Sequence, residues 1–167
     1  MPGVPIVIIR LAAALSLGIG LAGAAAAHAD LGTPYVQAFC VLASAEDGMG
    51  RLYMVTPGLS DAIMAALGEN EKRQAETPDE KPPLGDGIPW QSFPDVAPVC
   101  EAGATTADGD RLIAQVRYRF PDQPDAGWTD RLVLVKGEDG AYTIDDVMYG
   151  EEGEESLRSV LKDAFAE

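Results

Sequence analysis

The stretch that decides the fold reads RLIAQVRYRF (111–120), PDQPDAG (121–127), WTDRLVLVKG (128–137), EDG (138–140) and AYTIDDVMYG (141–150). In its first run Leu112, Ala114, Val116, Tyr118 and Phe120 are apolar, while the positions between them are mostly Arg and Gln. A period of two is the pattern of a strand covered on one face. The run at 132–135 is apolar at every position, which predicts a central strand covered on both faces. Ala107-Asp108-Gly109-Asp110 and the EDG at 138–140 supply turns, because Asp-Gly accepts the positive φ of tight hairpins. With a further strand at 97–105, about four antiparallel strands are expected, joined through a loop at 121–127.

A sheet with one apolar face needs cover, and three segments can give it. Thr33 and Pro34 have the form of an N-cap and first helical residue, followed by Val36, Phe39, Cys40 and Ala43 on one stripe. Thr56 and Pro57 repeat that start, and Leu59, Ile63, Ala66 and Leu67 line a second helix running to about Ala75. After the acidic EEGEE at 151–155, whose charge suits a helix start, Leu157, Val160, Leu161, Ala164 and Phe165 form a third stripe. The predicted fold class is α+β: a curved, cone-like antiparallel sheet packed with two N-terminal helices and one C-terminal helix.

Upstream, residues 1–29 combine one early cation, Arg10, with an apolar Leu/Ala/Gly/Ile run and the small-x-small end Ala27-His28-Ala29. This is the form of a secretory signal cut before Asp30. It leaves 30–167 as one domain, exported to the periplasm or secreted, with no later run long enough to span a bilayer. An oxidising compartment favours pairing the two cysteines, Cys40 and Cys100; the alternative is two separate buried thiols. The chain has 27 acidic against 12 basic residues, a formal charge of −15, and loss of the leader with Arg10 makes it more negative. Such a surface repels phosphate backbones and anionic lipid, so neither nucleic acid nor a membrane surface is an expected partner.

Between the second helix and the sheet, KPPLGDGIPWQSFPD (81–95) holds prolines and glycines that forbid regular structure, together with two large aromatics. As a functional element it is the rim of a pocket, with Trp90, Gln91, Phe93 and Asp95 as ligand contacts; as a structural one it plugs the end of the core. Asp108 and Asp110 lack the spacing and distal Glu of an EF-hand, so no metal is expected, and no cofactor motif is present. Arg117 and Arg119 share the polar face of their strand, where they can bind an anion or pair with acids across the sheet.

The order of these parts resembles a known family. VTPGL (55–59), IPWQSFPD (88–95) and YTIDDVMY (142–149), followed by Leu157 and Leu161, are similar to the exported bacterial proteins of the domain of unknown function 3828 family. In the loop the chain departs from that pattern, with the acid-Pro and Gln-acid pairs spread as Asp86 to Pro89 and Gln91 to Asp95. The resemblance implies a cystatin-like cone of the nuclear transport factor 2 group, a sheet wrapped around helices with a hollow, and no established activity.

Chemistry narrows the functional classes further. The single His, His28, lies in the leader, so the mature chain lacks the base of a Ser-His-Asp or Cys-His mechanism. What remains is carboxylate chemistry in an apolar hollow, as in ketosteroid isomerase. Strict alternation points the adjacent Asp145 and Asp146 to opposite faces, with Asp146 on the hollow side beside Tyr118 or Tyr142. The main expectation is a non-catalytic binding or accessory module that takes a small ligand or a protein at Trp90, Gln91, Phe93 and Asp95. The alternatives are a small-molecule isomerase or lyase using Asp146, Tyr118 and Tyr142, and an inhibitory or structural protein acting through its acidic surface.

Overall fold

Alternation along RLIAQVRYRF becomes a strand in which Leu112, Ala114, Val116 and Tyr118 are buried and the residues between them are not. The computed structural model describes residues 22–43, 49–85, 87–150 and 152–166. Within them the chain runs α1 (Ala22–Ala43), a 3₁₀ helix (Met49–Met54), α2 (Pro57–Glu76), β1 (Val99–Asp108), β2 (Arg111–Phe120), β3 (Gln123–Lys136), β4 (Tyr142–Met148) and α3 (Leu157–Asp163). The strands form one open antiparallel sheet in the order β1-β2-β3-β4. The fold is therefore α+β, with helices on both sides of the sheet in sequence.

The turns follow the Asp-Gly reading: Gly109 (φ 59°) closes β1 to β2, and Gly140 (φ 84°) closes β3 to β4. Between β2 and β3 the expected loop at 121–127 shrinks to a tight turn, because β3 begins at Gln123. Gly127 makes the close crossing possible, since a Cβ there would stand 2.7 Å from the Tyr118 carbonyl oxygen. Pro124 stands where β3 projects past β4, whose pairing starts at Arg131, so its missing N–H interrupts no bond between those two strands. The apolar run behaves as read: β3 lies between β2 and β4, and Leu132, Val133 and Leu134 are all buried.

One core unites sheet and helices. Val36 and Phe39 of α1, Leu59 and Ile63 of α2, and Leu157 and Leu161 of α3 meet Leu112, Val116, Leu134, Ile144 and Val147 of the sheet. Thr56 caps α2 as its sequence predicts, its Oγ1 accepting from Leu59 N at 3.2 Å, with Pro57 at the first turn. The first helix differs from expectation. It begins at Ala22, so Pro34 lies inside it and Thr33 is no cap. The Ala-rich run at 22–29 favours helix, which offsets the one backbone bond that Pro34 removes. The Ala29–Asp30 junction thus lies within α1, and the first 21 positions of the expected leader lie outside the described residues. No helix among the described residues is long and apolar enough to cross a membrane.

Cys40 and Cys100 form a disulfide, their Cα atoms 5.6 Å apart, which fastens α1 to the start of β1. At the far edge, Val55 bridges to Ile144 in parallel, and Thr56 N donates to the Ile144 carbonyl at 2.8 Å. The near edge, β1, carries an irregularity between Ala102 and Thr105.

Candidate ligand-binding cleft

A loop rich in Pro and Gly keeps one shape only if something outside it holds it, and this loop is held at several points. Trp90 is buried and sets its ring edge-on to Phe39 at 6.2 Å. Leu84 N donates to Asn70 Oδ1 at 2.9 Å, tying the loop to α2. The Tyr149 hydroxyl donates to the Pro89 carbonyl, and Ser92 N donates to Asp130 Oδ2 at 2.9 Å, tying it to the sheet. Within the loop, Gln91 Nε2 donates to the carbonyls of Phe93 and Asp95, each at 2.8 Å.

Asp130 is the hub of this bracing. It is fully buried on β3, and besides Ser92 its carboxylate accepts from Trp128 Nε1 at 3.2 Å and from Gly150 N at 3.0 Å. The Trp128 ring held in this way stacks on Tyr118 at 4.6 Å and meets half-exposed Phe93 at 5.4 Å. Three aromatics from β2, β3 and the loop thereby form one continuous wall.

Between the loop, α1, α2 and the sheet lies an open cleft of about 1270 Å³. Leu52, Ile63, Leu67, Leu84 and Ile88 give it apolar sides, and both disulfide cysteines touch it. Of the polar residues in its lining, Arg51 and Tyr118 are buried, while Lys81, Gln91 and Ser92 belong to the loop. Arg51, from the 3₁₀ helix, is only 4% exposed; its guanidinium lies 3.9 Å from the centre of the Phe39 ring and 5.7 Å from that of Trp90, a cation–π arrangement. Its Nε donates to the Phe39 carbonyl at 3.2 Å, whereas Nη2 has no hydrogen-bond partner among the described residues. Tyr118, 2% exposed, also has an unpartnered hydroxyl. Leaving such groups unmatched costs on the order of 1–3 kcal/mol each, which makes them unusual in a settled core.

Burial pushes the Arg51 guanidinium down to about 10, partly offset by Tyr118, so it is charged at neutral pH. Burial likewise pushes the Tyr118 phenol up, opposed by Arg51 and reinforced by Asp130, and it stays protonated. Tyr149 is raised by burial as well, and then by Asp130. The buried part of the cleft wall therefore holds one cation, Arg51, and one neutral phenol, Tyr118.

No known family model, curated protein or solved structure matches this chain. Its site must be read from its own geometry.

Of the residues picked out in the sequence, Trp90, Gln91 and Phe93 line the cleft and Asp95 does not. Gln91 spends its amide donors inside the loop, and Asp95 contributes its backbone carbonyl to that brace. Asp146, Tyr118 and Tyr142 are not brought together around the cleft, which of the three only Tyr118 lines. The cause is a bulge in β4: Asp146 pairs with Val133 but Ile144 pairs with Leu134, leaving Asp145 as the extra residue. Ile144 and Val147 consequently both face the core, and strict alternation fails where it was assumed. Asp146 Oδ1 instead accepts from Val147 N at 2.8 Å and from Arg158 N at 3.1 Å in the first turn of α3. Tyr142 lies against Tyr35, ring centres 5.9 Å apart.

Asp145 has its own structural duty, pairing with Arg158 Nη2 at 2.8 Å and accepting from Thr56 Oγ1 at 2.8 Å. The two strand arginines divide: Arg119 Nη2 reaches Glu101 Oε2 at 2.7 Å in an exposed cross-strand pair, and Arg117 stands opposite Glu101 in the register. Asp108 is paired with Arg111 at 2.6 Å across its own hairpin. We expect Asp146→Ala to lower stability by about 1–2 kcal/mol, the loss of two backbone bonds to a carboxylate, in urea unfolding. Ligand uptake by the cleft should be unchanged in that variant; a variant of native stability that loses binding would return Asp146 to the site.

Arg51 and Asp130 were missed in the sequence. A signal for Arg51 exists, a single cation inside the otherwise apolar run MGRLYMV (49–55).

Proposed function

We propose that this chain is an exported, non-catalytic binding module that takes a small ligand into the cleft beneath the 81–98 loop. The observation that carries this reading is the bracing of an irregular loop onto α2 and the sheet, which holds an aromatic rim beside an apolar cleft before any ligand arrives. Preorganisation of this kind lowers the ordering cost of binding. Export is supported by the leader pattern and by the disulfide, which oxidising compartments favour. The resemblance to exported cone proteins of the domain of unknown function 3828 family points the same way. The isomerase or lyase reading is less favoured, since Asp146 is absent from the cleft lining and its Oδ1 accepts from Val147 N and Arg158 N.

Phe93 is the variant of choice for a test, since it is 48% exposed and its removal spares the core, whereas Trp90 packs on Phe39 and its loss would disturb folding. The neutral dye N-phenyl-1-naphthylamine should bind saturably, and Phe93→Ala should weaken it by roughly tenfold, the worth of one aromatic contact, in a fluorescence titration. No saturable binding to the native protein, or equal binding to the variant, would remove the cleft as the site.

A further inference from the structure

Arg51 and Tyr118 line the same cleft, and Arg51 Nη2 and the Tyr118 hydroxyl are both buried and both without a protein acceptor among the described residues. We propose that the cleft takes a small monocarboxylate with an apolar body, its carboxylate received by Arg51 Nη2 and Tyr118 Oη; this rests on the cleft being the binding site. Four features select that chemistry. A carboxylate is acceptor-only with two oxygens, and it matches one charged and one neutral donor through short charge-assisted bonds. The Phe39 ring covers a face of the guanidinium and the Phe39 carbonyl takes Nε, so the free Nη2 edge is left for a ligand.

Charge sets the number. Among the described residues, Arg51 is the one cation in the cleft lining besides Lys81, which lies on the exposed outer loop. The buried carboxylate nearest this wall, Asp130, has its oxygens occupied by three N–H groups and supplies no cation. A second negative charge on the ligand would enter an apolar space unpaired, in a protein of formal charge −15. Inorganic phosphate and nucleotides are disfavoured on that ground. The apolar sides formed by Leu52, Ile63, Leu67 and Ile88 call for a hydrocarbon or aromatic body behind the carboxylate.

The test is isothermal titration at neutral pH of protein purified after expression of the full-length chain, using 4-phenylbutyrate, its neutral amide and inorganic phosphate. The acid should bind at least about tenfold more tightly than the amide, and phosphate should not displace it. Arg51→Met should erase the preference for the acid over the amide, and Tyr118→Phe, which keeps the Trp128 stack, should weaken the acid by roughly five- to tenfold. Should Arg51→Met fail to fold, the acid-to-amide ratio and Tyr118→Phe still decide. Equal binding of acid and amide overturns the carboxylate assignment and leaves the cleft reading intact, because the neutral dye still binds. Acid preference that survives both variants places the anion elsewhere and also overturns it. Displacement by phosphate would make this a site for inorganic anions, against the proposal. Failure of dye, acid and amide alike defeats the cleft reading itself.

Discussion

Asp130→Ala should destabilise the protein by about 3–5 kcal/mol, seen as a large fall in the urea midpoint at constant slope. The carboxylate is wholly buried and accepts three N–H groups from three separate segments: Ser92 of the loop, the Trp128 indole, and Gly150 after β4. Removing it leaves three part-buried donors without their acceptor, and each such loss costs about 1–3 kcal/mol. For a domain of ordinary stability, about 5–15 kcal/mol, that is a large share. Asp130→Asn should cost less, because one amide oxygen can keep the Ser92 and Trp128 bonds while the amide nitrogen opposes Gly150. The same variants should weaken dye binding, since the Ser92 tether and the Trp128 wall both depend on this residue. A cost below about 1 kcal/mol for Asp130→Ala would show that the loop is held by its other anchors.

Reducing the disulfide is expected to cost about 4 kcal/mol. The bond joins residues 60 positions apart, and the chain-entropy relation for a loop of that size gives this magnitude. Urea unfolding with and without dithiothreitol measures it, and Cys40→Ala with Cys100→Ala should reproduce the reduced protein. Here the structure adds a functional consequence: both cysteines line the cleft and α1 carries Phe39 beneath Arg51. Loss of stability without any loss of dye affinity would mean that α1 holds its place without the crosslink.

Much of this architecture was legible because it depends on local pattern. The alternation in β2, the apolar run at 132–134 and the Thr56-Pro57 cap each act through neighbours in sequence, and each forms as read. Three features escaped because distant residues decide them. The bulge at Asp145 depends on how β4 registers with β3 and on Arg158 and Thr56, which hold the extra residue. Arg51 is buried because Phe39 and Trp90, far apart in the chain, supply aromatic faces for its charge. Asp130 stands between Thr129 and Arg131 in a strand, where nothing local marks it as buried, and its burial makes sense only once Ser92 and Gly150 arrive. The rim aromatics were visible in sequence because Trp90 and Phe93 stand in a loop too rich in Pro to bury them by helix or strand packing; the polar atoms they cover were not.

Both margins of the sheet carry a feature that hinders strand addition. At β4 the Ile144 carbonyl is already taken by Thr56 N, and at β1 the irregularity after Ala102 breaks the even ladder that another strand would copy. With a formal charge of −15 on each, two molecules that meet also repel one another. The backbone contact that starts α2 thus also occupies part of the sheet edge that strand addition would use.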